Sequence, residues 1–243
     1  MTLTFAQAKQ HAILAVGGYP SLAPGQTRDD RLAEIVNQAG QYLFTNSWRF
    51  RERTTKYMNL VKDQNYLTLP SDCEEILTVM SQPSLGYMIE MITPEHMEAL
   101  RLIGLTISGP GITHAVMTRT APENGAALPD PILDIYPTPT ADATDAIAVR
   151  YRAKWVEIPS GNDGTWVIPI PPYVEALFIA YVRAFSQAYE DEGLEQKLAV
   201  VDQSGLYNRA LTKDGLLQRD FGRIRPSFDK GVFRYLKVNN PPA

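Results

Sequence analysis

Cysteine and histidine are scarce in this chain of 243 residues, which holds one cysteine, Cys73, and three histidines. A single cysteine excludes a disulfide within the chain and a zinc site built on several cysteines. Apolar runs of the roughly 20 residues that a membrane helix needs are also missing. The N-terminus lacks the basic start and unbroken apolar segment of a signal peptide. We therefore expect a protein with no membrane contact that is made and folds in a cytoplasm.

Positive charge is not in excess either. Lys and Arg total 23 and Asp and Glu total 27, so the net charge is −4. A dedicated nucleic-acid binder usually carries a basic excess, so this class of protein is disfavoured. Apolar residues form 44% of the chain and charged residues 21%, which predicts a folded core. The length corresponds to one large domain or two small ones.

Motifs of catalysis are missing as well. The phosphate-binding loop and the nucleophile elbow do not occur. The histidines are far apart and form no metal-ligand pair such as HExxH: His11, His96 and His114. Ser71 and Glu74 match a capping box, which predicts a short helical turn and explains the acidic pair Glu74-Glu75 without catalysis. We predict that the protein is not an enzyme and has no catalytic, cofactor-binding or metal site.

Helical periodicity marks both ends of the chain. Thr27 is a candidate N-cap, with Asp29 in the following first turn, where an acid complements the helix dipole. The apolar positions after it recur at spacings of three and four, which is the helical period. The sequence predicts four long helices: Thr4–Val16, one from Thr27 through Leu43, one that opens at Pro171-Pro172, and one from about Leu194 to Leu217.

The middle of the chain predicts β structure, with short alternating segments broken by Pro and Gly. A polar turn at 62–65 predicts that the first two strands form a hairpin, and Thr93-Pro94 predicts a short helix that runs to about Leu102. The candidate strands are Tyr57–Val61, Asn65–Leu69, Ile76–Met80, Tyr87–Met91, Ala115–Thr118, Leu133–Tyr136 and Ile147–Trp155.

These patterns predict an α+β fold. The terminal helices form an α-helical bundle, because neither end can bury its apolar stripe alone. A small β-rich insertion domain lies between them, and an extended C-terminal arm follows. We expect four segments: N-terminal helices of the bundle (1–47), the β-rich insertion domain (48–168), C-terminal helices of the bundle (169–218) and the arm (219–243).

Several different motifs follow one another in an informative order, although each motif alone is weakly specific. Trp48 and Phe50 follow the second helix as W-x-F. Next come YLTLPSDCEEIL from Tyr66 and IYPTPTADATDAIAVRYRAK from Ile135, and then a helix that starts with prolines. This order, over roughly residues 27–217, resembles the head-to-tail adaptor proteins of short-tailed bacteriophages, including the head-completion and tail-tube-A-like connectors.

The resemblance implies a structural virion protein located in the neck. It implies a ring, commonly a homododecamer of 12 copies, that binds the portal protein ring above it and a tail or nozzle protein below it. DNA would pass through the channel of this ring without sequence-specific binding, and no cofactor would be needed. A modestly acidic protein suits that channel, because acidic walls repel the DNA phosphates.

The C-terminal segment 219–243 differs from the rest of the chain in charge. Six basic residues stand against two acidic ones, a net charge of +4, with aromatic residues between them. A solvated, frayed tail is one interpretation. Disordered tails are usually poor in aromatics, however, and aromatic and arginine side chains often anchor interfaces. The other interpretation is an arm that binds the portal or a neighbouring subunit through Arg223, Arg225, Phe228, Phe233, Arg234 and Tyr235.

Two alternatives stay open at this point. A virion-associated hydrolase would need a cleft with converging acids or a metal site, and no such set stands out. A tail-tube or stopper subunit lying further from the portal would be mostly β, whereas this chain has helices at both ends. The adaptor interpretation fits the sequence best.

Overall fold

The computed structural model describes residues 2–55, 57–81, 87–103, 111–118, 130–161 and 166–215. Two compact units share them: unit one is Met1–Phe50 with Glu157–Ala243, and unit two is Arg51–Val156. The described residues form six α-helices, which are α1 (Phe5–Val16), α2 (Arg28–Phe44), α3 (Pro94–Ile103), α4 (Pro172–Ala188), α5 (Leu194–Asp202) and α6 (205–215).

The helix ends follow from local sequence. Thr4 caps α1 and Thr27 caps α2, each in a reciprocal capping box with the residue three positions later. Gly17 ends α1 in a left-handed conformation with φ of 70°, which glycine adopts without strain. Pro171 precedes α4, where a missing N–H costs no helical hydrogen bond. The first three long helices predicted from the sequence are confirmed.

The core of unit one lies between α1, α2 and α4. Phe5, Ile35, Tyr181 and other apolar side chains of these helices are fully buried. Residues 166–168 pair with the start of the chain, since Phe5 N donates to Trp166 O and Ile168 N donates to Leu3 O, both at 2.9 Å. The apolar stripes read from the sequence therefore face a shared interior.

The fourth predicted helix is wrong as a continuous element. It breaks after α5, and α6 begins at residue 205. The side chain of Ser204 accepts a hydrogen bond from Leu206 N at 3.3 Å, which caps the new helix and stops the old one. On α6, Leu211 is half exposed and its neighbour Ala210 is buried. The predicted end at Leu217 lies outside the described residues.

Unit two is built on one eight-stranded sheet. Its path is β1-β8-β4-β5-β6-β7-β3, and β2 also pairs with β8. All pairs are antiparallel except β5 with β6. The strands are β1 (Glu52–Thr54), β2 (Met58–Leu60), β3 (Tyr66–Thr68), β4 (Cys73–Ser81), β5 (Met88–Met91), β6 (His114–Thr118), β7 (Ile132–Tyr136) and β8 (Ala143–Ala153).

One face of this sheet curls around a single core. Leu60 on β2, Leu67 on β3 and Val149 on β8 belong to the same buried cluster. The two ends of the strand path therefore share one interior. Helix α3 covers part of the other face, where Met97 packs with Val116 and Tyr136. The fold is thus mixed α/β, which confirms the coarse prediction.

The predicted hairpin between the first two candidate strands is wrong. β2 pairs with β8 and β3 pairs with β7, so the two segments lie at opposite ends of the strand path. The turn between them bonds instead to the loop that joins β7 to β8. Asp63 N donates to Pro139 O at 2.9 Å, and Lys62 N donates to the Asp142 carboxylate at 2.7 Å.

The helical turn predicted at Ser71–Glu74 is also wrong, because these residues lead into β4. Cys73 is fully buried in the sheet core, and the side chains of Glu74 and Glu75 pair with arginines. The strand β1 was not predicted, since it is only three residues long and fully polar. The arrangement as a bundle with an insertion and an arm, and its four segments, stay predictions.

Candidate interaction surfaces

The six residues predicted to bind the portal or a neighbour lie outside the described residues: Arg223, Arg225, Phe228, Phe233, Arg234 and Tyr235. The histidines lie on three different elements, α1, α3 and the start of β6. Within the described ranges, no group of three or more His, Cys, Asp or Glu could hold a metal ion. The described residues do offer helix anchors, grooves in unit one and a charged sheet face in unit two.

Asp202, at the end of α5, anchors the C-terminal helices of unit one. Its carboxylate accepts hydrogen bonds from the phenols of Tyr181 at 2.6 Å and Tyr42 at 2.7 Å. Burial, followed by this carboxylate, raises the pKa of Tyr42 to about 12 and also raises that of Tyr181. Both phenols therefore remain protonated donors at neutral pH, and one carboxylate ties α2 and α4 to α5.

Asp214 anchors α6 in the same way. Its Oδ1 accepts from the phenol of Tyr173, at the start of α4, and its Oδ2 accepts from the backbone N–H of Arg49, both at 2.8 Å. Asp214 is only 5% exposed. Burial raises the pKa of Tyr173 above its ordinary value, and Asp214 adds to that shift. The last described turn of the chain is therefore fixed to unit one.

A groove of about 550 Å³ runs along α2, opposite the segment 157–160. We call it the α2 groove. The Asn37 amide donates to Ile158 O and accepts from Ile158 N, each at 2.9 Å. This side chain therefore satisfies both backbone polar groups of Ile158, as a neighbouring β-strand would. Gln41 donates to the Glu157 carboxylate at 3.0 Å. The lining residues are Asp30, Ala33, Glu34, Asn37, Gln38, Gln41, Glu157, Ile158, Pro159 and Ser160.

The α2 groove is acidic, because the described residues that line it include three carboxylates and no Lys or Arg. Glu34 is already paired with Arg31 at 3.0 Å. Asp30 and Glu157 form no ion pair among the residues that the structure describes. Hydrogen bonds from the Ser160 hydroxyl and then from Thr27 lower the pKa of the Asp30 carboxyl. The Asp30 carboxyl is therefore charged at neutral pH.

A second groove, of about 360 Å³, lies between α4 and α5. We call it the α4–α5 groove. Its described lining is mostly small or apolar, as with Ala180 and Val200, and within that lining the charged residues are Arg183 and Lys197. Val200 is 69% exposed. The α4–α5 groove and the α2 groove therefore carry opposite charge.

A dense set of ion pairs covers the sheet of unit two near β1, β8 and β4. Four arginines face four acids, in the pairs Arg51–Glu74, Arg53–Asp72, Arg150–Glu52 and Arg152–Glu75. The charges cancel within the set. Arg51 is the most buried of the eight side chains and also donates from Nε to Ala153 O at 2.8 Å. Burial lowers its pKa, whereas Glu74 opposes that shift.

Sequence reasoning missed all of these features. A usable signal for the anchors was an acid inside an apolar helical stripe, at Asp202 and Asp214. For the sheet, the signal was Arg and Glu alternating at 51–53 and two arginines at alternate positions of β8, Arg150 and Arg152. The α2 groove had no local signal, because its two walls are more than 110 residues apart in the chain.

The grooves and the charged sheet face are candidate contact surfaces for other macromolecules. The comparison of the whole chain with known families identifies the class of protein. Residues 3–227 match the SU10 adaptor protein family, and the chain belongs to that family. It is therefore a structural adaptor protein of a phage virion. No curated protein matches the sequence. Among the described helices, none is long and apolar enough to cross a membrane.

Proposed function

We propose that this protein is the head-to-tail adaptor of its virion, a ring that binds the portal, joins the capsid to the tail and forms part of the DNA channel. The observation that carries the proposal is the family match, which extends over nearly the whole chain. The copies assemble as a closed ring, with 12 as the expected number. The partners are the portal protein ring on one side and a tail or nozzle protein on the other.

Two properties of the chain support this role. The C-terminal segment 219–243 is basic and rich in aromatics, as expected of a segment that binds an acidic or apolar groove on a partner. It begins soon after α6, whose last turn is fixed by Asp214. The segment therefore starts from a fixed point while its 25 residues can reach a neighbour, since they span up to about 80 Å when extended.

The charge of the chain also fits the DNA channel. At −4, the protein has no basic excess that would hold DNA phosphates. DNA that leaves a capsid must slide through without being bound, and acidic walls repel it. The bundle of terminal helices would face the portal, and the β-rich domain would face the tail.

The test is assembly on purified portal rings, measured by size-exclusion chromatography with and without the portal. We expect the free protein to elute as a monomer and to co-elute with the portal after mixing. A variant that ends at Asp220 should stay a soluble monomer with a near-normal thermal melt but should no longer join the portal. The variant Arg223→Gln/Arg225→Gln should weaken the complex at low salt, and its difference from the unchanged chain should shrink at high salt, where screening removes the contribution of the two arginines.

A matched control removes the same charge from a described helix. Arg209 and Lys213 are both exposed on α6, so Arg209→Gln/Lys213→Gln should leave portal binding unchanged. Complete complexes from the truncated protein would contradict the role of the arm. Self-polymerisation without a portal would favour a tail-tube subunit, and a protein that neither polymerises nor binds the portal would refute the adaptor proposal.

A further inference from the structure

We infer that copies of this chain pack head to tail through unit one, with segment 157–160 of one copy docked in the α4–α5 groove of the next. Glu157 then faces Arg183 of the neighbouring copy, and Pro159 lies against the apolar lining of the groove. This inference rests on the proposed ring, and it adds which two surfaces of the chain meet at each contact in that ring.

The α4–α5 groove presents apolar surface that the described part of the chain leaves uncovered. Val200 is 69% exposed on one wall, and Ile179 and Ala180 are half-buried. The groove holds about 360 Å³, which is the space of a few side chains. Exposed apolar surface of this kind is typical of an interaction site, because covering it removes apolar area from water.

Segment 157–160 can enter an apolar groove because the backbone at its centre is already satisfied. The N–H and C=O of Ile158 both bond to the Asn37 amide, each at 2.9 Å. Pro159 is exposed and has no N–H that needs a partner. Burying an unpaired backbone group costs free energy, so these two residues avoid the main penalty of docking in an apolar groove.

Charge matches across the proposed contact. Arg183 is exposed and donates to Nδ1 of His11 at 3.4 Å. Burial, and then the guanidinium itself, lowers the pKa of His11, so that ring is neutral at neutral pH. Glu157 is exposed and accepts a hydrogen bond from the neutral Gln41. Neither charge has an ion-pair partner within the described ranges, so each can pair with the other across an interface.

Lys197, the other cation of the groove, has a different role. Its Nζ donates to the carbonyl oxygens of Gln187, Asp191 and Glu192 at 2.9 to 3.3 Å. It therefore satisfies carbonyls at the C-terminal end of α4, where a cation also complements the helix dipole. Arg183 is thus the cation of this groove that an incoming carboxylate can pair with.

The two surfaces lie on opposite faces of unit one. On α4, the Tyr181 ring packs on α2. Arg183 follows two residues later, which turns it by about 200° at 3.6 residues per turn, and it lines the groove on the far side. On α2, Ala39 is fully buried, and Asn37, two residues earlier, is turned away from the core and holds segment 157–160. The two surfaces therefore point away from each other.

This placement fits a ring better than a two-fold dimer. A contact between two different faces is head to tail, and it closes into a ring when the rotation from copy to copy divides a full turn. A two-fold contact between two α4–α5 grooves would instead bring the Arg183 side chains of both copies together, and like charges repel. Charge therefore favours the head-to-tail contact.

The test is thiol cross-linking of the full-length protein assembled on portal rings. Val200→Cys and Ser160→Cys place one thiol on each surface, since both residues are exposed, whereas the native Cys73 is fully buried. A short bismaleimide linker should join each copy of the double variant to the next. A denaturing gel probed with an antibody to the protein should then show a ladder of covalent oligomers, and each single variant should remain monomeric.

Three results would overturn the inference. Dimers from a single variant, without longer products, would indicate a two-fold contact. Portal complexes of the double variant that give no ladder would mean that other surfaces meet in the ring. The control Val200→Cys/Glu98→Cys moves the second thiol to an exposed position of unit two, and an equal ladder from it would mean that linking is not specific.

The cross-link also separates this inference from the adaptor proposal. If the unsubstituted chain does not bind the portal, the adaptor proposal is refuted, and the same double variant is treated as concentrated protein without portal. A ladder in that sample would support the head-to-tail contact, and its absence would overturn it.

Charge reversal provides a second measurement without added thiols. Arg183→Glu or Glu157→Arg alone places like charges at the contact. Each should raise the protein concentration for half-assembly on the portal by at least about fivefold, as expected for an exposed charge pair. The double variant restores opposite charges at every contact and should recover assembly, with a thermal melt of each monomer to confirm folding. A double variant that assembles no better than the weaker single variant would overturn the inference.

Discussion

Tyr181 on α4 and Asp202 at the end of α5 are joined by a hydrogen bond of 2.6 Å from the phenol to Oδ1. Tyr181 is fully buried, and its ring also contacts that of Tyr42 at 5.0 Å in an edge-on arrangement. The same carboxylate accepts from both tyrosines. Asp202 is thus the point at which α5 is held to the rest of unit one.

Tyr181→Phe should lower the free energy of unfolding by about 1.5–3 kcal/mol, because it removes a hydrogen bond to a charged group and keeps the ring. The measurement is urea denaturation followed by circular dichroism. The control is Tyr66→Phe, since Tyr66 is 43% exposed and should change stability by less than about 0.5 kcal/mol. Equal effects of the two variants would contradict the anchoring role of Asp202.

Phe185→Ala should cost about 3–5 kcal/mol, the usual range for truncating a buried phenylalanine. Phe185 is 7% exposed and contacts the ring of Tyr42 at 6.1 Å, edge-on. Leu177 and Tyr181, eight and four residues earlier on the same helix, are buried as well. A thermal melt checks the effect, and Leu14→Ala, which truncates a side chain that is 68% exposed, is the control. An unchanged melt for Phe185→Ala would refute the packing of α4 on α2.

Glu74→Gln should destabilise the protein more than Glu75→Gln. Glu74 faces Arg51, whose side chain is 3% exposed, whereas Glu75 faces Arg152, which is 22% exposed. Removing the acid opposite a buried charge costs more than removing the acid opposite a hydrated one. Both acids are about half exposed, so solvent screening limits the costs to about 1–2 kcal/mol for Glu74→Gln and about 0–1 kcal/mol for Glu75→Gln. Chemical denaturation of the two variants measures their free energies of unfolding and shows which substitution costs more.

Mild acid should destabilise the protein through His11. Burial, and then the nearby Arg183 guanidinium, lowers the pKa of His11 below its ordinary 6.5. Between the lowered value and 6.5, the unfolded chain binds a proton that the folded chain does not bind, so stability rises with pH across this window and falls as pH drops through it.

The check for His11 is the difference in melting temperature between about pH 7.5 and about pH 5.5. His11→Gln should make that difference smaller. His96→Gln, which removes an exposed histidine on α3, is the matched control. If the two variants respond to pH alike, His11 is not the group that destabilises the fold.

Helix ends were readable from the sequence because their causes are local. Thr4, Thr27 and Gly17 act within one turn of their own helix, so caps and stops could be placed from neighbouring residues. The break before α6 was missed because Ser204 can either continue a helix or cap the next one. Local sequence does not choose between the two.

Strand partners were not readable because pairing is not local. The polar turn at 62–65 was predicted correctly as a turn, but its flanking strands pair with β8 and β7, which lie about 65 to 90 residues further along the chain. The same limit hid the interaction surfaces. Asn37 meets Ile158, and Tyr173 meets Asp214, only after folding. The lack of a catalytic motif was visible in the sequence itself. The resemblance to the adaptors rested on the order of motifs along the chain. Neither inference required knowing which residues are in contact.

Asp214 fixes the position from which the proposed arm starts. Because Tyr173 and Arg49 hold the last described turn in place, this starting point is the same in every copy of unit one. In the proposed ring, the arms would therefore begin at equivalent positions around the symmetry axis. Inserting residues after position 215 would lower the effective concentration of each arm at its site without altering a contact of unit one.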